Sequence, residues 1–283
     1  MNRQSDIKQL LKSSRLAPSK ERGQNFLVNP ATAEAIVAKA GVTEADTVIE
    51  LGVGLGALTI PLAEKAKEVI GIELDKGIIK WHEEQKILPP NVSLVHQDLL
   101  KSDFRKLAEE TGGRLKIVAN LPYSISNPLV FKLVENRGIM QYAVLMLQKE
   151  VGQRLQAGPG SKTYGVLSVL LSACASTKII MNVGPGQFHP RPKVDSVVAK
   201  IVFDPAPKRV TELPEHDHIL LKKVVNASFQ QRRKTLFNSL SSSNIPGTDK
   251  AKLKTVLAKA GIDPKIRPEM LSVEAFVELV NAI

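Results

Sequence analysis

The chain has 283 residues, 43% of them hydrophobic, and a formal net charge of +11. That length suits one large domain, or a large and a small one, around a real core, and the apolar share excludes a disordered chain. The positive balance favours a polyanionic partner, nucleic acid first, since solubility alone needs no particular sign of charge. One cysteine, Cys174, rules out an internal disulfide framework and lies in an apolar run as a buried thiol, which fits a reducing, cytoplasmic setting. The polar, basic start has no apolar core of a signal peptide, and no later stretch has the length and apolarity to span a bilayer, so no membrane is expected.

Arg3, Lys8, Lys12, Arg15, Lys20 and Arg22 form a basic arm before Gly-Gln-Asn-Phe-Leu at 23–27. Residues 30–40 have helix composition and stop at Gly41; residues 47–51 read as a first buried strand. The strand runs into Gly52-Val-Gly-Leu-Gly56, with 57–67 expected as a helix. Strand, glycine turn and helix make a nucleotide-binding start: Gly52, Gly54 and Gly56 let the backbone approach a ligand, and a helix amino terminus offers free amides. Glu73 ends a second strand, 69–72, at the distance where a carboxylate accepts hydrogen bonds from ribose hydroxyls. Asp98 follows a third strand, 92–96, and suits either an adenine amino group or the cap of the next helix.

Residues 117–119 form a short buried strand halted by Asn120-Leu-Pro-Tyr123. Chemistry in open α/β sheets sits at such strand ends. Pro122 keeps Leu121 out of the helical region, so its carbonyl stands beside the Asn120 side-chain oxygen while Tyr123 offers a ring. Two acceptors and an aromatic face suit a planar base bearing an amino group; an ordinary Asn-x-Pro turn is the bland alternative. Gly52, Gly54 and Ala57 also satisfy the NAD pattern G-x-G-x-x-A, but Glu50, Gly56, Asp98 and the Asn120 strand end tilt the choice away from hydride transfer.

Beyond Tyr123, helices are expected at 128–134 and 150–156, a strand at 142–147, a mobile loop at 157–164, a helix at 166–178 and a strand at 194–203. The loop 184–193 is stiffened by prolines and carries Phe188, Arg191 and Lys193, read as a base-stacking ring with phosphate-holding cations, with Phe188 as a core anchor equally open. Asp204-Pro-Ala-Pro207 is a linker, dividing a domain at 1–204 from a small helical one at 205–283. In the latter, Arg232, Arg233 and Lys234 fall between apolar positions at helical spacing, so a break near Gln230 or a partnered cation is expected. His216-Asp-His218 is too sparse for a metal site, and none is expected.

Together, Gln24-Asn-Phe-Leu27, Glu50-Leu-Gly-Val-Gly-Leu-Gly56, Glu73-Leu-Asp75, Asn120-Leu-Pro-Tyr123, Phe188-His-Pro-Arg-Pro192 and Gln231-Arg-Arg-Lys234 closely resemble the KsgA (RsmA) family of ribosomal RNA adenine dimethyltransferases. Val53 and Ser124 stand where relatives often carry proline and asparagine. The resemblance implies a class I methyltransferase fold, a Rossmann-like, mostly parallel seven-stranded sheet whose last strand is antiparallel. It also implies S-adenosylmethionine as donor, with Asn25 and Leu27 closing over it, Gly52 at its amino-acid end, Glu73 on its ribose, Asp98 on its adenine and Asn120 bridging to substrate. The implied substrate is a pair of adjacent adenosines in the 3′-terminal hairpin of small-subunit ribosomal RNA, within a subunit precursor, with a monomeric enzyme as the default. An Erm-like large-subunit methylase, a non-catalytic platform on the same fold and an NAD-dependent oxidoreductase are the alternatives.

Overall fold

The computed structural model describes residues 24–231 and 233–283. In chain order the elements begin β1 (Phe26–Leu27), α1 (Pro30–Ala40), β2 (Thr47–Leu51), α2 (Thr59–Ala63), β3 (Glu68–Glu73), α3 (Lys76–Gln85), β4 (Val92–His96), α4 (Phe104–Thr111), β5 (Leu115–Asn120), α5 (Ser126–Glu135) and β6 (Met140–Gln148). They continue with α6 (Lys149–Leu155), α7 (Val166–Ser172), β7 (Ser176–Val183), β8 (Phe188–His189), β9 (Ser196–Val202), α8 (Lys208–Glu212), α9 (His218–Phe229), α10 (Leu236–Leu240), α11 (Lys250–Lys259) and α12 (Val273–Ala282).

Seven strands form one sheet in the order β4-β3-β2-β5-β6-β9-β7. Pairing is parallel from β4 through β6, and β9 runs antiparallel to β6. The central strands are apolar on both faces because helices cover both; Val48, Ile49, Ile117, Val118 and Leu145 are wholly buried. The chain leaves β2 toward β3 and β4, then returns to the other side of β2 as β5. The strand ends of β2 and β5 are therefore the switch point where such sheets open a crevice.

Local chemistry sets the ends of α1. The Asn29 side chain accepts from the Ala31 amide, Pro30 occupies the first turn, and Gly41 closes the helix at φ 74°. Lys200 adds a cation there, donating to the Ala40 carbonyl at 2.8 Å. Two expectations change. The helix placed at 57–67 is only α2: Pro61 has no N–H for the Ala57 carbonyl, so the bond from the Ile60 amide to the Gly56 carbonyl is isolated and continuous helix spans only Thr59–Ala63. The helix placed at 166–178 stops at Ser172, and 176–183 forms β7, an edge strand in which Thr177, Ile179, Ile180 and Val183 favour extended backbone.

Contacts divide the chain into two compact units, one of residues up to Gly152 together with Lys178–Pro205, the other of Gln153–Thr177 and Ala206–Ile283. A boundary near the Asp204–Pro207 linker is thus present, but residues 153–177 pack with the helical unit rather than with the sheet domain as placed from sequence. Their anchoring explains it. The Tyr164 hydroxyl donates to the Leu271 carbonyl at 2.8 Å, the Gly160 amide to the Glu269 carbonyl at 2.7 Å, and Arg209 to the Ser172 carbonyl at 2.9 Å. Those bonds also pin the 157–164 loop, expected to be mobile. Within this unit α9 ends at Phe229 with Gln230 as its cap, the break expected near that residue, and Thr235 caps α10.

In the first unit β1 pairs antiparallel with β8, Phe26 opposite His189 and Leu27 opposite Phe188. The Val28 amide extends this clasp to the Gln187 carbonyl at 2.9 Å. Phe188 is 1% exposed, in one apolar cluster with Leu27, Ile36, Val144 and Val198. Its ring is a core anchor, which corrects the placement of Phe188 on a substrate base: a side chain enclosed on all sides has no free face to stack. Phe188→Ala is therefore expected to lower stability by about 3–5 kcal/mol in denaturant titration; an unchanged unfolding midpoint would return the ring to the substrate.

Candidate active site

A cavity of about 300 Å³ opens at the carboxyl ends of β2, β3, β4 and β5. It is lined by Asn25 and Leu27 from the β1 segment, Glu50, Gly52 and Gly54 from β2 and its turn, Glu73, Asp98, Asn120 and Pro122. Residues distant in sequence meet here because parallel strands end side by side.

The turn needs its glycines. Gly52 and Gly54 have φ of 83° and 55°, and a Cβ at Gly54 would stand 3.2 Å from the Phe26 ring. The Gly54 amide donates to Glu73 Oε2 at 3.0 Å, and Glu73 Oε1 accepts from the Asp75 amide at 2.9 Å. The carboxylate is thereby held at the cavity with lone pairs to spare. Behind the turn, the His82 Nε2–H donates to the Gly54 carbonyl at 2.8 Å, and burial pulls the imidazole pKa down, which keeps the ring neutral. Gly56 departs from expectation. Its α-hydrogen side faces the His82 ring, 3.3 Å from where a Cβ would be, and it lines a neighbouring apolar cavity instead of this one.

Asp98 accepts from the Leu100 amide at 2.9 Å, while the cap of α4 is Asp103. The loop between them is fixed by Lys132 of α5, which donates to the Leu100 carbonyl at 2.7 Å and to the Ser102 carbonyl with its ammonium 4.8 Å from the Phe104 ring centre. Burial lowers the Lys132 pKa, opposed by the charges of Asp103 and Asp98. Nothing in sequence marked His82 or Lys132, since each works through a backbone carbonyl of a distant loop, a contact without a motif.

Asn120 Nδ2 donates to the Asn25 carbonyl at 3.3 Å, which leaves Oδ1 as the acceptor. Leu121 is buried, and no hydrogen bond between backbone groups of the described loops ends on its carbonyl. The Tyr123 hydroxyl and Ser196 Oγ are 2.8 Å apart, and burial raises the phenol pKa. Pro122 and Ser124 line the cavity; Leu121 and Tyr123 stand beside it without doing so.

The electrostatics are one-sided. Three carboxylic acids, Glu50, Glu73 and Asp98, line the cavity, and no Lys, Arg or His does among the described residues. Glu50 is 1% exposed and its Oε2 has no hydrogen-bond partner. Burial first, and then the charge of Glu73, push this carboxyl up to about 8. The Thr59 hydroxyl beside it opposes the shift but forms no hydrogen bond of ordinary geometry.

Arg191, Lys193, Arg233 and Lys234 are all exposed, while Arg232 and the basic arm before Gln24 lie outside the described residues. Asp217 of the His-Asp-His run caps α9 through the Ile219 and Leu220 amides. No group of three or more His, Cys, Asp and Glu suited to a metal ion occurs among the described residues, and no helix there is long and apolar enough to cross a membrane.

The family model described as ribosomal RNA adenine dimethylase matches residues 18–283. A ribosomal RNA small subunit methyltransferase A of Desulfotalea psychrophila is 52% identical over 278 residues, 96% of this chain and 93% of that protein. One of Clostridium botulinum is 43% identical over 265 residues, covering 94% of each. Among solved structures, a dimethyladenosine transferase from Plasmodium falciparum superposes with a TM-score of 0.71 at 27% identity, over 90% of this chain and 95% of that one. The 23S rRNA methyltransferase ErmE shares the fold, with a TM-score of 0.66 at 22% identity over 91% of this chain and 99% of its own.

A carboxyl with a folded-state pKa near 8 against an ordinary 4.5 binds a proton in the folded protein that the unfolded chain has lost. Its contribution to stability is full below the ordinary value and falls as pH rises through that window. Glu50→Gln is expected to raise the melting temperature, with an increment that grows from pH 5 to pH 8; a pH-independent increment would place the ionisation elsewhere.

Proposed function

Because the chain belongs to the ribosomal RNA adenine dimethylase family, we propose that it transfers methyl groups from S-adenosylmethionine to the exocyclic amines of two adjacent adenosines in the 3′-terminal hairpin of small-subunit ribosomal RNA. Each amine receives two. The reaction takes place in the cytoplasm on a precursor of the small subunit, and the enzyme acts as a monomer. The observation that carries the cofactor reading is the cavity's lining of three carboxylic acids with no cation among the described residues. A donor with a sulfonium and an ammonium suits that lining; the pyrophosphate of NAD would meet three acids and no counter-charge. The unpartnered Glu50 Oε2 supports the same fit, since a buried polar atom without a partner awaits one.

In this reading Glu73 turns its spare lone pairs to ribose hydroxyls, Asp98 accepts from the adenine amine, Gly52 lines the amino-acid end, and Asn25 and Leu27 close over the donor. The donor supplies a methyl group already electrophilic on sulfur, so the protein need not generate a strong base. The adenine amine is a poor nucleophile because its lone pair is delocalised into the ring. Accepting its hydrogens at Asn120 Oδ1 and the Leu121 carbonyl draws the nitrogen toward tetrahedral geometry and aims the lone pair. Placement of this kind supplies about 7–11 kcal/mol of the barrier. The Asn120–Asn25 bond supports the role, because it fixes which end of the amide accepts.

Extruding the base costs a few kcal/mol of stacking, and Tyr123, oriented by Ser196, returns about 1–3 kcal/mol. Arg191, Lys193, Arg232, Arg233 and Lys234 hold phosphates. Intact Asn120-Leu-Pro-Tyr123 argues against a platform without catalysis. The named small-subunit relatives at up to 52% identity favour that subunit over an Erm-like target.

Incubation with labelled S-adenosylmethionine and small subunits lacking the modification is expected to label two adjacent adenosines near the RNA 3′ end; label confined to large-subunit RNA would overturn the assignment. Asn120→Ala should abolish transfer while cofactor binding stays measurable by calorimetry, and full activity in that variant would remove Asn120 from the mechanism. For Arg233→Ala with Lys234→Ala, weaker RNA binding is expected, with the slope of log affinity against log salt shallower by about 1–2. An unchanged slope would make both residues structural.

A further inference from the structure

Glu50 is the one acid of the cavity that has no structural employment. Glu73 holds two backbone amides and Asp98 holds one, whereas Glu50 Oε2 accepts nothing. Among the described residues its surroundings offer no compensating cation. Thr59 approaches from α2, Glu73 from β3 and Asp98 from the loop after β4, while His82 of α3 is neutral and bonded to the Gly54 carbonyl. On the adjacent strand β5, Lys116 lies opposite Val48, with its ammonium on Asp46. A fully buried carboxyl flanked by other acids holds its proton until a positive charge arrives.

Substrate and product of the proposed reaction differ in charge. The donor carries a sulfonium; once the methyl group has left, the sulfur is an uncharged thioether. Both keep the same amino-acid tail and nucleoside, so shape barely distinguishes them. We propose that Glu50 is the specificity-determining residue that separates the two: neutral in the empty cavity, it releases its proton to solvent when the donor brings its sulfonium charge and recovers one when the product, which has lost that charge and keeps only its zwitterionic tail, remains, so that the site prefers donor to product. The inference rests on the methyl-donor reading of the cavity.

Proton balance is simple. One O–H bond of the Glu50 carboxyl breaks on donor entry, the proton passes to the buffer, and the resulting carboxylate faces the added positive charge. When the methyl group has gone that charge has gone too, and a proton returns from solvent to the carboxylate. No redox partner or further reactant takes part.

The test is isothermal titration calorimetry of the intact protein with S-adenosylmethionine and with S-adenosylhomocysteine, each in two buffers of different ionisation enthalpy at pH 7. The heat difference between buffers counts protons exchanged. Donor binding is expected to release roughly 0.5–0.9 proton more than product binding. Between pH 6 and 7 the preference for donor over product should rise by roughly three- to eight-fold. In Glu50→Gln the extra proton release disappears and the preference becomes flat with pH. Equal proton counts for the two compounds in the unaltered protein would overturn the proposal while leaving the cofactor reading intact, and so would persistence of the difference in Glu50→Gln. Failure of both compounds to bind would overturn the cofactor reading and this inference with it. The count in the unaltered protein decides the matter even if the variant fails to fold.

Discussion

The hydrogen bond from the Gly54 amide to Glu73 Oε2 is the constraint on which the site depends. It joins the turn after β2 to the end of β3 and sets the height at which both strands stop. Around it the other parts fall into place: Glu73's second oxygen fixes the start of α3 through Asp75, and α3 returns His82 to the Gly54 carbonyl. The turn is thus held from its amide and its carbonyl at once. A turn with three glycines at positive φ has little intrinsic preference for one shape, so rigidity has to come from such outside contacts.

Much of this frame was legible in the chain because it rests on local chemistry. Glycines after an apolar strand, an acid at the next strand end, and a proline two residues after Asn120 each carry their reason in sequence. Eight of the nine expected cofactor residues, all but Gly56, line one cavity. What escaped was of two kinds. Edge strand β7 looked like a continuation of an apolar helix, because Ser176–Val183 lacks the alternation of apolar and polar residues that marks a half-buried strand. Phe188, His82 and Lys132 acquire their roles from contacts with distant segments, and neither a ring in a proline-rich loop nor a lone cation announces which surface will cover it. Gly71 belongs with these: inside β3 a Cβ would come within 2.5 Å of Val53 in the glycine turn, a requirement no propensity expresses.

The distribution of charge resolves an apparent conflict. A chain of net +11 encloses a cavity whose lining is acidic and, among the described residues, without a cation. In the proposed reading the exposed cations serve long-range attraction to a polyanion, screened by salt, while the buried acids act over a few ångströms in a medium of low polarity. Separating the two by burial lets one protein attract nucleic acid and a cationic small molecule without either field cancelling the other.

The clasp between β1 and β8 has a consequence for how the protein is made. Asn25 and Leu27 reach the cavity on a two-residue strand whose partner is Phe188–His189, at the far end of the sheet domain's sequence. During synthesis the amino-terminal segment emerges early, but its pairing partner does not exist until the ribosome has added most of the remaining strands. The wall of the pocket is therefore completed late in the translation of the sheet domain, and the beginning of the chain must wait for Phe188 and His189 before a ligand can be enclosed.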